Sequence, residues 1–269
     1  MIRNPAVAGQ FYPASKEALE REVRSLVDPD ADKEDAIGVV SPHAGYAYSG
    51  AVAGSVLSAI KPRKRYVMLG PNHTGLGSAF AIDESGSWKT PLGEVEVDRE
   101  LADEIRKNCE YITSDSVSHA YEHSIEVQLP LLQFLQYDFK IVPIVISYAD
   151  SNMYRVAGKA IARAIKNLRA ADEVTIIASS DMTHYEPQEE AKKKDSVAIR
   201  AMLELDEVKL IRKVSELGIT MCGYAPVAVM ITAAKELGAV SARVVRYQTS
   251  GDVTGDRSSV VGYAGIVIN

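Results

Sequence analysis

Short apolar runs rich in Val and Ile recur along the chain at 36–40, 66–69, 141–146, 174–178, 242–247 and 260–268. Because they are apolar throughout rather than alternating, each predicts a strand buried on both faces. Between them the period changes. Ala157, Ala160, Ile161, Ala164, Ile165 and Leu168 repeat at helical spacing, as do Ile125, Leu129 and Leu132. In "PVAVMITAAKELG", Pro226 suits a first helical turn and Gly238 suits the cap that ends it. The stretch "FAIDESGSWKTPLGEVEVD" breaks this rhythm; it predicts a hairpin around Gly86 and Gly93, ahead of a helix at 101–107. Buried strands alternating with helices predict one α/β domain over residues 1–269, three-layered (α/β/α), on a mostly parallel mixed sheet.

Composition adds boundaries rather than detail. The 269 residues are 46% hydrophobic and 25% charged, ordinary values for a globular chain. No apolar run reaches the roughly 18–20 residues that span a membrane. The opening "MIRNPAVAGQFYP" lacks the charged-then-apolar order of a signal peptide, so a cytoplasmic protein is expected. Net charge is −6 with the two signs interspersed, and the "KKK" at 192–194 reads as a solvated helix face. Without a clustered basic stripe, nucleic acid is not an expected partner. Two cysteines, Cys109 and Cys222, give no disulfide framework. Cys109, in "ADEIRKNCEY", reads as a spectator thiol near the end of an amphipathic helix.

The chemistry lies in where the five histidines fall. His43 follows the first buried run, His73 follows "YVMLGPN", and His184 follows "VTIIASSDMT", with Asp181 three residues before it. Ligands of open α/β sheets bind beyond the carboxyl ends of the strands, so these residues should emerge along one edge. Cys222, in "ITMCGYAPVAV", precedes the helix that Pro226 helps to start. Two neutral imidazoles and one anionic donor make a three-point metal site with open positions. A thiolate at a helix start and beside a cation has a lowered pKa, and its softness favours copper, zinc or iron over magnesium or calcium. A metal-free reading stands beside it, with Cys222 as nucleophile and a histidine as its base. His119 and His123 are four apart in "SHAYEHSIEVQLP", a spacing that can present both on one helical turn, but HAYEH is not the HExxH of zinc proteases. Asp181 is open between a turn cap and a catalytic role. Tyr46 and Tyr48 read as wall or core residues.

Taken together, "VAGQFYP", "SPHAGYAYSG", "LGPNHTG", "EHSIEVQLPLL", "SSDMTHY", "CGYAP" and "VVGYA" resemble the Memo family in the same order. Its bacterial and archaeal members are also known as protein B of the AmmeMemoRadiSam system. The resemblance implies a fold similar to class III extradiol dioxygenases, with His43, His73 and Cys222 as ligands of iron or copper. It places Asp181 and His184 in the same pocket and His123 towards the substrate. Those dioxygenases use a glutamate where this chain offers Cys222, which keeps the charge but changes softness and redox tuning. Vertebrate relatives are described as binding iron or copper, influencing reactive oxygen species and docking phosphotyrosine peptides; the aromatic after the AG motif is Phe11 here. The expected function is a non-haem metal protein with redox or dioxygenase-like activity, His184, His123 and Asp181 serving as acid/base or substrate contacts. A small aromatic substrate or a peptide is the expected small partner, and the alternative is a non-catalytic peptide- or protein-binding module acting with AMMECR-type and radical SAM partners. A zinc hydrolase stands third.

Overall fold

The computed structural model describes residues 2–84, 86–136 and 138–269. Its first strands are β1 (Ile2–Arg3), β2 (Gly38–Ser41), β3 (Arg65–Pro71), β4 (Phe80–Ile82), β5 (Ser87–Thr90) and β6 (Gly93–Val97). They are followed by β7 (Thr113–Ser114), β8 (Lys140–Ile146), β9 (Val174–Ser179), β10 (His184–Glu186), β11 (Ala242–Thr249) and β12 (Val260–Ile268). The helices are α1 (Lys16–Leu26), α2 (Tyr46–Ser58), α3 (Arg99–Lys107), α4 (Leu129–Leu135) and α5 (Ser151–Asn167). The C-terminal half adds α6 (Gln188–Leu203), α7 (Glu207–Leu217), α8 (Tyr224–Glu236) and the short α9 (Ser250–Thr254).

Five strands in the order β6-β8-β3-β9-β2 pair in parallel and form the centre of a mixed sheet. Antiparallel neighbours flank it: β12 pairs with β2, β10 and β11, and β4 pairs with β8. Successive side chains of the central strands enter different cores, as the period of two demands. Val40, Val67, Leu69, Val142, Ile144, Ile176 and Ala178 pack towards α3, α5, α6, α7 and α8. Val39, Tyr66, Met68, Ile141, Val145 and Ile177 pack towards α1, α2 and α4. That two-sided burial is why these strands carry no alternating polar pattern. The α/β class, the layers and the mostly parallel mixed sheet agree with the sequence expectation.

The predicted strand cores are all present, β12 over the same residues and the others shifted or extended at their ends. The hairpin is formed by β5 and β6, paired antiparallel, with its turn at Pro91 and Leu92. Of that stretch, Ser85 lies outside the described residues. The helix expected from Ile125, Leu129 and Leu132 opens as a 3-10 turn at Glu126–Gln128 before α4 begins, with Pro130 in its first turn. Among the described residues, no helix is long and apolar enough to cross a membrane.

One feature of the topology places the site. Adjacent parallel strands β2 and β9 are followed by helices in different layers, α2 on one side of the sheet and α6 on the other. Where neighbouring connections diverge in this way, a crevice opens beyond the strand ends.

Candidate metal centre

The crevice holds the donors that the sequence pointed to. One donor atom each from His43, His73 and Cys222 lies within 4.8 Å of the others. His43 comes from the loop after β2, His73 from the loop after β3, and Cys222 from the turn just before α8. Nε2 of His43 lies 3.2 Å from Sγ of Cys222. Gly223 allows that turn to sit against the end of β9: a Cβ there would lie 2.3 Å from the Ser179 carbonyl oxygen.

Each imidazole is held through Nδ1. His43 Nδ1 lies 2.8 Å from Ser179 Oγ. His73 Nδ1 lies 2.9 Å from Glu122 Oε1, and the other Glu122 oxygen accepts the His73 backbone N–H at 2.6 Å. His184 Nδ1 lies 2.9 Å from the carbonyl oxygen of Thr220, which can only accept. The partners of His73 and His184 only accept, so these two rings donate from Nδ1 and keep a lone pair on Nε2, the form in which imidazole binds a cation. Burial, followed by the neighbouring His73 and His123, pushes His43 well below the ordinary imidazole range and keeps it neutral. The donor set therefore fits a soft or borderline transition metal.

The carboxylates divide the work. Glu122 is fully buried, which alone would raise its pKa, yet it accepts from the ring and backbone of His73 and from the amides of His123 and Ser124. These donors outweigh desolvation and hold it at about 2. Asp181 accepts the backbone N–H groups of His43 at 2.8 Å and Ala44 at 3.3 Å. Burial nevertheless pushes its carboxyl up to about 6. Through those two amides it ties down the loop after β2, and it also lines the cleft.

For Cys222 the expected electrostatics need correction. Burial, then the Asp181 carboxylate, pushes the thiol pKa up rather than down. In the protein alone the sulfur is therefore a thiol, and a bound cation would be what favours the thiolate. This weakens the reading of Cys222 as a free nucleophile.

Next to the centre lies a cleft of about 510 Å³, lined by His43, His73, His123, Asp181 and His184 on its polar side. Phe11, Tyr48, Tyr185 and Tyr263 form aromatic walls. His123 stacks on His73, with ring centroids 4.7 Å apart, and meets Phe11 at 4.6 Å. Tyr185 adopts φ 60°, a left-handed conformation unusual for a bulky side chain, and is 79% exposed. Such strain is concentrated at functional sites.

His119 does not pair with His123: it lies in a 3-10 turn, buried against Trp88, with Nε2 3.0 Å from the Ala81 carbonyl oxygen. Cys109 is buried in the core with residues of α3 and α5. Tyr46 is a core residue that donates to the Val127 carbonyl, whereas Tyr48 is a wall residue. Sequence reasoning passed over Glu122, Ser179 and Thr220. A carboxylate directly before His123 and a serine pair directly before Asp181 were the available signals, but which ring each would hold depends on tertiary contacts.

A mostly parallel mixed sheet with a His–His–Cys donor set beyond the carboxyl ends of its central strands defines an α/β protein with a candidate transition-metal centre. The family model described as Memo-like protein matches residues 3–267. A MEMO1 family protein of Methanococcoides burtonii is 46% identical, over 99% of this chain and 100% of the relative. MEMO1 family proteins of Methanosarcina barkeri, 42% identical over 99% and 100%, and Methanococcus maripaludis, 44% identical over the whole of both chains, are also similar. The chain belongs to the Memo family.

Proposed function

We propose that this chain is a cytoplasmic non-haem metal protein of redox or oxygenase-like function, with a fold similar to that of class III extradiol dioxygenases. His43, His73 and Cys222 hold iron or copper, and a small aromatic ligand occupies the adjoining cleft. The observation that carries the reading is the convergence of these three donors from loops far apart in the chain. When bound, such a metal supplies one-electron chemistry and a Lewis-acid position that the side chains lack.

The protein's own residues supply binding and proton handling. Phe11, Tyr48 and Tyr185 present aromatic faces to a flat ligand. His184, with Nδ1 bound to Thr220, offers Nε2 as a proton acceptor and therefore serves as a base. Asp181, whose carboxyl burial raises to about 6, is a second group able to take up or release a proton. His123, stacked between His73 and Phe11, faces the ligand as a contact rather than as a fourth donor of the His43–His73–Cys222 group.

Element-resolved metal analysis of anaerobically purified protein tests this directly. Stoichiometric iron or copper, lost in His43→Ala and His73→Ala, is the expected result, followed by oxygen uptake with catechol-like compounds. Protein that is metal-free and takes none up would overturn it; bound zinc without oxygen uptake would favour a hydrolase.

The exposed aromatic rim favours a second reading. Tyr48 is 45% and Tyr185 79% exposed at the cleft. A rim of this kind also suits a peptide or a partner protein, with AMMECR-type and radical SAM proteins as the partners to titrate. Binding to these without turnover of small molecules would select that reading.

A further inference from the structure

His43 differs from His73 in what holds it. A buried carboxylate orients His73, whereas an uncharged hydroxyl, Ser179 Oγ, stands at Nδ1 of His43. A hydroxyl can donate or accept, so by itself it does not choose a tautomer. The surrounding groups make the choice.

Gln128 is wholly buried at the centre of this network. One of its amide atoms lies 2.8 Å from the Pro42 carbonyl oxygen, which only accepts, so that atom is the nitrogen. The same nitrogen gives its second proton to Ser179 Oγ at 3.0 Å, while its Oε1 accepts from Ser41 Oγ at 2.7 Å. Ser179 Oγ in turn lies 2.7 Å from the carbonyl oxygen of Ser124. Two oxygens that close need a proton between them, and only the hydroxyl has one. With its single proton committed to Ser124, Ser179 must accept at the remaining contact. The proton between Ser179 and His43 therefore resides on Nδ1.

We propose that Ser179, oriented by Gln128 and the Ser124 carbonyl, is a positioning residue that fixes His43 as the Nδ1–H tautomer and so aims its Nε2 lone pair at the Cys222 sulfur and any cation held there. The cation part rests on reading His43, His73 and Cys222 as ligands; the tautomer part does not. The relay joins the ends of β2 and β9 to the segment before α4, and its side chains are buried. Ser179→Ala removes the hydroxyl that meets Nδ1. The ring then loses its reason to keep the proton there, and a proton on Nε2 occupies the lone pair that a metal needs.

Nitrogen-15 spectra of the histidine rings in metal-free full-length protein, at alkaline pH where the rings are neutral, read the tautomer. The expected wild-type result is a pyrrole-type Nδ1 and a pyridine-type Nε2 for His43. Ser179→Ala should mix or invert that pattern, Ser179→Thr should restore it, and the signals of His73 and His184 should stay unchanged as the control for folding. Titration with Co²⁺ should show affinity falling by about 10- to 100-fold in Ser179→Ala and recovering in Ser179→Thr. A wild-type His43 protonated on Nε2 would overturn the proposal, as would a Ser179→Ala protein whose His43 pattern is unaltered. If Ser179→Ala does not fold, Gln128→Glu, which removes one of the donors fixing the serine, must perturb the same His43 signals or the proposal fails. Wild-type protein that shows the expected tautomer yet binds no cation would support the positioning role while overturning the metal reading alone.

Discussion

Glu122 grips His73 at two points, accepting its backbone N–H at 2.6 Å and its ring Nδ1–H at 2.9 Å. The same carboxylate accepts the amides of the next two residues, so it organises one whole side of the candidate centre. Glu122→Gln keeps the shape and removes the charge. The folded-state pKa of about 2 lies below the ordinary 4.5, so the carboxylate stabilises the fold above pH 4.5, and that stabilisation is lost as pH falls towards about 2. The variant should be less stable at neutral pH, by on the order of 3 kcal/mol, and its acid limb should be flatter. Urea denaturation at a series of pH values checks this. Parallel curves for the two proteins across the acid range would refute it.

Cys222 should react slowly with iodoacetamide at neutral pH even without metal, since burial and Asp181 keep it a thiol. The rate should rise with pH and fall further when Co²⁺ is added. Mass spectrometry of the alkylated protein distinguishes Cys222 from the buried Cys109. Immediate modification at neutral pH would restore the free-nucleophile reading.

Arg3 and Glu126 form a buried ion pair at 2.7 Å, with the guanidinium also stacked on Trp88. Glu126 further accepts from the amides of Ala6 and Val7 and from the Tyr12 hydroxyl. One carboxylate thereby pins the segment that carries Gln10 and Phe11 to the cleft. Glu126→Gln should cost about 3–5 kcal/mol, because the buried Arg3 charge keeps the His119 and Glu122 carbonyls but loses its carboxylate. Limited proteolysis should then cut within residues 5–12, ahead of global unfolding. An unchanged cleavage pattern would show that the segment is held by other contacts.

Tyr185→Gly should be neutral or stabilising, although it deletes a large side chain. Relief of the left-handed backbone is worth about 1 kcal/mol, and the exposed ring forfeits little packing. The thermal midpoint should rise by about 2 °C, while affinity for any aromatic cleft ligand falls. A marked loss of stability would mean that the ring packs into the fold rather than serving the cleft.

Where burial is symmetric, local composition is enough to read the fold. Strands such as β3, β8 and β9 meet helices on both faces, so unbroken apolar runs identified them. α2 was not legible in the same way: its small residues let it approach α1 closely, and a Cβ at Gly54 would lie 2.0 Å from the Leu26 carbonyl oxygen. α6 carries only a weak apolar stripe, whereas in α7 Leu210, Ile211, Val214 and Leu217 repeat at helical spacing, a legible signal that the strand-based reading passed over. At the site, residue type and position beyond a strand were enough to single out His43, His73 and Cys222. They could not show that Glu122 serves His73 across 49 positions, that Ser179 serves His43, or that Cys222 lies where its thiol is raised. Those facts are set by which loops the sheet makes neighbours.

His43 and Cys222 touch across a separation of 179 positions in the chain. An ion shared by them and His73 would act as a clasp between the early strands and the C-terminal helices. Metal supply would then set the protein's lifetime as well as its chemistry: a free concentration 100 times the dissociation constant adds about 2.7 kcal/mol against unfolding. Starved of its ion, the same polypeptide would open first where those distant segments meet.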